Sequence, residues 1–560
     1  MKRTRGWPTR VLFAVVVCVT ILGLVFVAAP LASPALIHVA SATRYSSSTT
    51  ITTLYGKVSG VDAGNDSWAW KGIPYAKPPV GELRWKAPQD PDPWEGIRRS
   101  TEAFSACTQP AMSRAWIPLN QVVGSEDCLY LNVYRPMKEG TNLPVYVWIH
   151  GGSNVFGSAA SYDASVMAST LNMVVVVIQY RLGPFGWFIH PALNVSGTGE
   201  DKSGNYGTLD AIKALKWVRG NIAFFGGNPN NVTVGGESAG AFDTSNLLIS
   251  PLAKGLFHRA VMESSGGSNV SVEQGVKLAN DTIDRLLVLD GTCPDTETAA
   301  AYRAGMTNAD LEAYLRSRTT EEIERARMND RGSIDSSPTY IDGVVIPGDL
   351  APMIASGNYN RVPVILGSNQ YELKAFLPLY YGTTKTSKGY TWFDVYKVLN
   401  GELTLDEVFG EADKVAWEKA ASASTLAWNN RINALASSLQ AQQDNVYVYY
   451  FKWGGVGSGP APFDFIIGPS HATEIPFFFG GSRDVFGYSF VPENELGRTA
   501  LQRAMMSYLG QFAATGNPNI AGSGLPVWEQ WSDEPNAPNV ITFDGTFTSA
   551  KIEMINWVLP

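Results

Sequence analysis

The stretch that decides the fold is Asn228-Pro-Asn-Asn-Val-Thr-Val-Gly-Gly-Glu-Ser-Ala-Gly240. Val232-Thr-Val234 reads as a short apolar strand, Gly236-Glu-Ser-Ala-Gly240 breaks it, and a helix-compatible run follows. This is the pattern of a nucleophile elbow, a strand-to-helix turn so sharp that a bulky residue two places either side of the serine would collide with backbone. The turn lifts the Ser238 hydroxyl above the sheet and leaves the N–H of Ala239 free to face an oxyanion. With 54 glycines in 560 residues, a Gly-x-Ser-x-Gly pentad also arises by chance in roughly one such chain in two or three. Its weight comes from its place. It occurs once, directly after a strand, and its required partners stand downstream in the required order.

The composition, 45% hydrophobic and 17% charged, is that of a globular chain with ample material for a large core. A net charge of -8 argues against nucleic acid as a partner. Gly and Pro are dispersed and no repeat divides the chain, so one large domain over residues 46–560 is expected behind a leader over residues 1–45. In that leader Lys2, Arg3, Arg5 and Arg10 precede an apolar run over residues 11–29, followed by a Ser/Thr-rich segment. Such a leader marks export, as a cleaved signal peptide with Ala40-Ser-Ala42 as cleavage triplet or as an uncleaved signal anchor; either way the body lies outside the cytosol, and any membrane attachment runs through this segment alone. Cys18 belongs to the apolar run. Cys107 and Cys128, with 20 residues between them, are free to pair in an oxidising compartment, a loop closure worth on the order of 3 kcal/mol. Cys293 is then left over as a quiet thiol. The sequons at Asn65, Asn194, Asn231, Asn269 and Asn280 open the way to glycosylation if the source is eukaryotic.

Along the chain, residues 52–60 alternate like a hairpin strand, and residues 71–85 read as a Pro-fixed surface loop with one basic anchor. Leu129, Leu131 and Val133 alternate as one face of a strand. The continuous apolar runs at 144–149 and 173–178 carry the mark of strands buried on both faces in a parallel sheet. Leu209, Ile212, Leu215, Trp217, Val218 and Ile222 recur at helical spacing. Strand, helix, strand, sharp turn and helix make an α/β, doubly wound architecture. Later strands are expected at 260–262, 362–366, 446–451 and 540–543, and residues 293–331 read as helices of a cap.

A serine hydroxyl needs a base within hydrogen-bond reach. Of the five histidines, His38 lies in the leader, His258 directly precedes a strand, and His190 sits in an apolar setting. His150 precedes Gly151-Gly152 at a strand end, as in an oxyanion loop of the His-Gly-Gly-Gly type. That leaves His471, in the Gly/Pro-opened loop Gly468-Pro-Ser-His-Ala-Thr-Glu474. The base in turn needs a carboxylate on its other nitrogen. Glu372, after the strand and turn Val362-Pro-Val-Ile-Leu-Gly-Ser-Asn-Gln-Tyr-Glu372, stands in the expected order; Glu474 is a rival by proximity to His471.

At this point the chain resembles the type-B carboxylesterases, the α/β-hydrolase family of carboxylesterases, cholinesterases and large fungal lipases. The resemblance rests on residues 71–85, Glu126-Asp-Cys-Leu-Tyr-Leu-Asn132, His150-Gly-Gly152, Tyr180-Arg-Leu-Gly-Pro-Phe-Gly186, Ala214-Leu-Lys-Trp-Val218, residues 221–227, the elbow, Phe257-His-Arg-Ala260, His471-Ala-Thr-Glu474 and Phe512-Ala-Ala-Thr-Gly-Asn-Pro-Asn519. It implies an α/β-hydrolase fold with helical cap insertions and a triad of Ser238, Glu372 and His471. It also implies an oxyanion hole of Gly151, Gly152 and Ala239, and a Cys107–Cys128 disulfide. No metal or cofactor is implied, and the partner is a small-molecule ester. The chain departs from the family pattern at Ser153, where Gly or Ala is usual, and at Leu373, where Gly usually follows the acid; Cys293 lacks a second disulfide partner.

The reaction expected on this resemblance is ester hydrolysis through an acyl-enzyme, rising with pH through the reference imidazole value of about 6.5. A lipase is a rival, although Trp116, Ile117, Pro118 and Leu119 form only a small apolar cluster between Cys107 and Cys128. A cholinesterase is hinted at by Trp116, since a cation sits well on an indole face. A catalytically silent adhesion protein is the rival from another class.

Overall fold

Within the apolar runs of the sequence, successive residues join different cores. Val145, Val147 and Ile149 belong to one hydrophobic cluster, while Tyr146 and Trp148 belong to another. Val174, Val176 and Ile178 alternate in the same way with Val175 and Val177. A strand whose side chains alternate between two dry layers is covered on both faces, which is why these runs are continuous rather than half polar. The structure is a computed structural model, and it describes residues 49–102, 104–112, 118–328 and 337–557. The leader, with Cys18, His38 and the triplet Ala40-Ser-Ala42, lies outside the described residues, as do Trp116, Ile117 and the last residues of the expected cap segment.

The central sheet has eleven strands. They are β1 (Val61–Gly64), β2 (Ser67–Pro74), β3 (Tyr130–Pro136), β4 (Leu143–Ile149), β5 (Val174–Ile178), β6 (Gly227–Glu237), β7 (Arg259–Glu263), β8 (Val364–Asn369), β9 (Val446–Phe451), β10 (Val540–Gly545) and β11 (Ala550–Ile555). Across the sheet they run β11-β10-β9-β8-β7-β6-β4-β5-β3-β2-β1. All pairs from β5 through β4 to β10 are parallel, and the edges are antiparallel. The chain goes from β4 outward to β5 and then returns to lay β6 on the other side of β4. That reversal is the switch point where an open parallel sheet leaves a crevice at the carboxyl ends of its strands.

Helix α1 (Ser165–Leu171) and the long C-terminal helix Glu495–Thr515 cover one face of the sheet, through Met167, Met505, Leu509 and Phe512. The other face is covered by α2 (Tyr206–Asn221), through Leu209, Ile212 and Leu215, and by α3 (Ala239–Ile249), through Leu247 and Leu248. The expected cap segment forms helices Thr296–Ala304, Asn308–Ser317 and Thr320–Arg327, after the longer Val272–Leu289. Side-chain caps from Ser271, Asp295, Thr307 and Thr319 start all four.

Residues 71–85 correct one expectation. Only their middle is a surface loop, exposed at Pro78 and residues 80–82: Lys71 to Pro74 continue β2, and Tyr75 and Trp85 are wholly buried, with Trp85 Nε1 donating to Pro184 O at 2.7 Å. The basic anchor is there, since Arg84 forks onto both Glu126 carboxylate oxygens at 2.8 and 2.6 Å. Cys107 and Cys128 form a disulfide, and Cys293 is a buried free thiol. The sequon residue Asn65 is exposed, whereas Asn194 is buried with its amide donating to Asp201 O at 2.9 Å. Among the described residues no helix is long and apolar enough to cross a membrane.

Candidate active site

The elbow follows from backbone crowding. Ser238, between β6 and α3, has φ 57° and ψ -120°, a conformation that costs an L-residue strain and persists only where its surroundings hold it. They hold it from both sides: Ser238 N–H donates to Glu263 O at 2.9 Å and Phe242 N–H to Ser238 O at 3.0 Å. A Cβ on Gly236 would stand 2.5 Å from Gly240 C, and one on Gly240 only 2.0 Å from Ile149 O. Both glycines are therefore demanded by close approach of backbone to backbone. The Ser238 side chain is left half-buried.

The loop after β4 lies against this turn because β4 and β6 are parallel neighbours, with Ile149 opposite Gly236. A Cβ on Gly151 would meet Glu237 Oε2 at 2.7 Å and Ser238 Cβ at 3.0 Å. Val155 and Phe156 N–H groups close the loop onto Gly152 O at 2.9 and 3.0 Å. Of the three amides assigned to the oxyanion hole, those of Gly152 and Ala239 donate to nothing among the described residues. Ser153 holds φ 58°, in the left-handed region that favours glycine. Leu373 is a harmless departure, since its φ of -96° suits any residue. His150 is buried beneath the loop, where its Nδ1 lies 2.9 Å from Gly151 O and burial pushes the ring down to about 4.

The loops after β8 and β9 bring the other two residues. Tyr371 N–H donates to Pro469 O at 2.9 Å and His471 N–H to Glu372 O at 3.2 Å. Asn369, the last residue of β8, donates its N–H to Glu372 Oε1 at 2.7 Å and its side-chain amide to Ser470 O at 2.8 Å. Glu372, fully buried, then sets Oε2 2.6 Å from His471 Nδ1. A carboxylate at that distance keeps the ring proton on Nδ1 and leaves Nε2 as the free base. Glu474 does not face the ring; it braces the loop, accepting from Ser264 Oγ at 2.7 Å and from Asn369 Nδ2. His258 accepts the Val232 N–H at 3.1 Å, and His190 accepts the Ala192 N–H at 3.1 Å with Asn280 on its other nitrogen.

His471 Nε2 faces the elbow peptide, and its nearest acidic atom there is Glu237 Oε1 at 3.0 Å. The approach is not aligned as a hydrogen bond, and Glu237 Oε1 is buried without one. No hydrogen bond joins the Ser238 hydroxyl to His471 among those of the described residues.

The electrostatics follow from one imidazole among four carboxyl groups. Glu237, Glu263, Glu372 and Glu474 are all buried. Burial pushes Glu237 up to about 8 and Glu474 up to about 7, the latter helped by the neighbouring Glu372 charge, and drives Glu263 well above the carboxylate range. Burial alone would depress His471, but the charges of Glu237 and Glu372 outweigh it and lift the imidazole to about 9. The sequence reading missed the approach of Glu237 to His471 and two rings beside the imidazole. Phe376 lies 5.4 Å and Trp428 5.3 Å from the His471 ring, centroid to centroid. Glu237 was visible inside the pentad; Trp428, on the 30-residue helix Glu411–Gln440, carried no local signal.

A family model described as the carboxylesterase family matches residues 47–554. Acylcarnitine hydrolase of Mus musculus is 35% identical over 484 residues, 82% of this chain and 80% of its own length. Para-nitrobenzyl esterase of Bacillus subtilis (strain 168) is 32% identical over 502 residues, 86% of this chain and 93% of its own. Among solved structures, a PNB esterase superposes with a TM-score of 0.68 at 31% identity, covering 90% of this chain and 97% of that one.

Proposed function

The chain belongs to the carboxylesterase family and is a carboxylic-ester hydrolase; from that premise we propose that Ser238 is its nucleophile, His471 its general base and Glu372 the carboxylate that orients the base. In this reading His471 Nε2 takes the Ser238 proton as the hydroxyl attacks the ester carbonyl. The tetrahedral oxyanion is held by the amides of Gly151, Gly152 and Ala239. The imidazolium then hands its proton to the departing alkoxide, leaving an acyl-Ser238 that water hydrolyses by the same path. Each oxyanion donor is worth roughly a hundred- to a thousand-fold in rate. The observation that carries the proposal is the 2.6 Å contact between His471 Nδ1 and Glu372 Oε2, which turns Nε2 toward the elbow. The test is covalent labelling: an organophosphate is expected to stop ester hydrolysis with one adduct per chain, on the peptide containing Ser238. An inactivated protein whose adduct sits on another residue would remove Ser238 from the role.

The expected pH dependence lies above the reference imidazole value. His471 works only when neutral, so activity rises as pH rises through its pKa. The charges of Glu237 and Glu372 lift that pKa from 6.5 to about 9. The profile of kcat/KM is therefore expected to climb well above pH 7, and Glu237→Gln, which removes one of the two leading charges, to move its midpoint back toward 6.5. A midpoint of about 6.5 in both proteins would show that Glu237 does not act on the base.

The leader of the sequence and the Cys107–Cys128 bridge support an exported protein, because such a bridge persists in an oxidising compartment.

A further inference from the structure

Two consecutive glycines after β7 are overlaid by rings. A Cβ on Gly266 would stand 2.2 Å from Trp428 Cη2, and one on Gly267 would stand 2.5 Å from Phe242 Cδ1. The indole thus lies directly on bare backbone, and its other neighbour is the base, which it meets edge to face at 5.3 Å and 70°. Phe376 approaches the same imidazole at 5.4 Å and 56°. Neither Trp428 nor Phe376 is fully buried. On the triad reading above, His471 passes a proton between Ser238 and the leaving oxygen, so the ester is seated beside the ring that Trp428 and Phe376 flank.

We propose that Trp428 is a specificity-determining residue that receives a planar, apolar group of the ester, so that the enzyme favours esters with an aromatic half over short aliphatic ones. An aromatic face beside an apolar wall gains from dispersion and from the preferred offset or edge-on ring geometry. Gly266 is what lets the indole lie there. An aromatic acid and an aromatic alcohol present the same surface, and the two are separated by experiment.

The test compares kcat/KM for ethyl acetate, ethyl benzoate and benzyl acetate in the native protein and in Trp428→Ala, Trp428→Phe and Gly266→Ala. In Trp428→Ala the ratio of an aromatic ester to ethyl acetate is expected to fall roughly tenfold, through KM. A fall with ethyl benzoate assigns the acyl half to Trp428, and a fall with benzyl acetate assigns the alcohol half. Trp428→Phe, which keeps a ring, should retain most of the preference. Gly266→Ala, whose new Cβ pushes the far edge of the indole, should shift the same ratio in the same direction and so tests the idea even if Trp428→Ala fails to fold. Both ratios staying within twofold of native in the folded variants would overturn the assignment. Absence of any Ser238-dependent hydrolysis of the three esters would instead strike at the triad reading.

Discussion

Ser238→Ala is expected to lower ester turnover about a million-fold while leaving the fold intact. The loss is that large because the acyl-enzyme route ends with the hydroxyl; what remains is binding and whatever polarisation the amides of Gly152 and Ala239 supply to a direct attack by water. The fold should survive because the hydroxyl takes no part in the hydrogen bonds that hold the elbow. Those run through the Ser238 backbone, to Glu263 O and from Phe242 N–H, and alanine keeps both. Alanine meets the same strain at φ 57° as serine, so the melting temperature should change little. Hydrolysis of a simple ester by the purified variant, set beside its thermal melt, is the measurement. A folded variant within tenfold of native activity would end the nucleophile assignment.

Glu372→Gln is expected to cost about ten-thousand-fold in kcat. The argument turns on which way the new amide must face. Glu372 Oε1 accepts the Asn369 N–H at 2.7 Å, and glutamine keeps that bond only by leaving its oxygen there. Its NH₂ group then points at His471 Nδ1, where Oε2 stood at 2.6 Å. A donor facing Nδ1 forces the ring proton onto Nε2, and Nε2 then has no lone pair with which to take the serine proton. The contrast is Glu474→Gln. Glu474 touches Ser264 and Asn369 rather than the ring, so its loss should weaken the loop more than the chemistry. If Glu474→Gln proves the more damaging to kcat, the two carboxylates exchange roles.

The parts of this protein that were legible in its sequence are those whose cause is local. The strands at 145–149 and 174–178 announced themselves because burial on both faces leaves no polar residue in the run. The elbow was legible because backbone crowding at Gly236 and Gly240 admits only glycine. Glu372 required the order of elements and the family resemblance as well, since nothing about the residue distinguishes it from a solvated loop carboxylate. Residues 71–85 misled because their prolines and charges hide Tyr75 and Trp85, whose buried partners lie far along the chain. The electrostatic setting of His471 was equally out of reach. It depends on Glu237, Glu372 and Glu474 drawn together around the ring, and no window of sequence contains that sum. Trp428 is the extreme case, a residue in the middle of a long helix distinguished only by the bare backbone it lies on.

The base and its carboxylate partner stand 99 residues apart in the chain, and the serine lies far upstream of both. A ribosome therefore finishes the elbow well before it has made the loop that arms it. Until residue 471 has emerged and settled beside the neighbouring turn, the nascent chain carries an ordinary alcohol. On the proposed triad, reactivity arrives late in synthesis, and a chain cut short before that loop is expected to be inert.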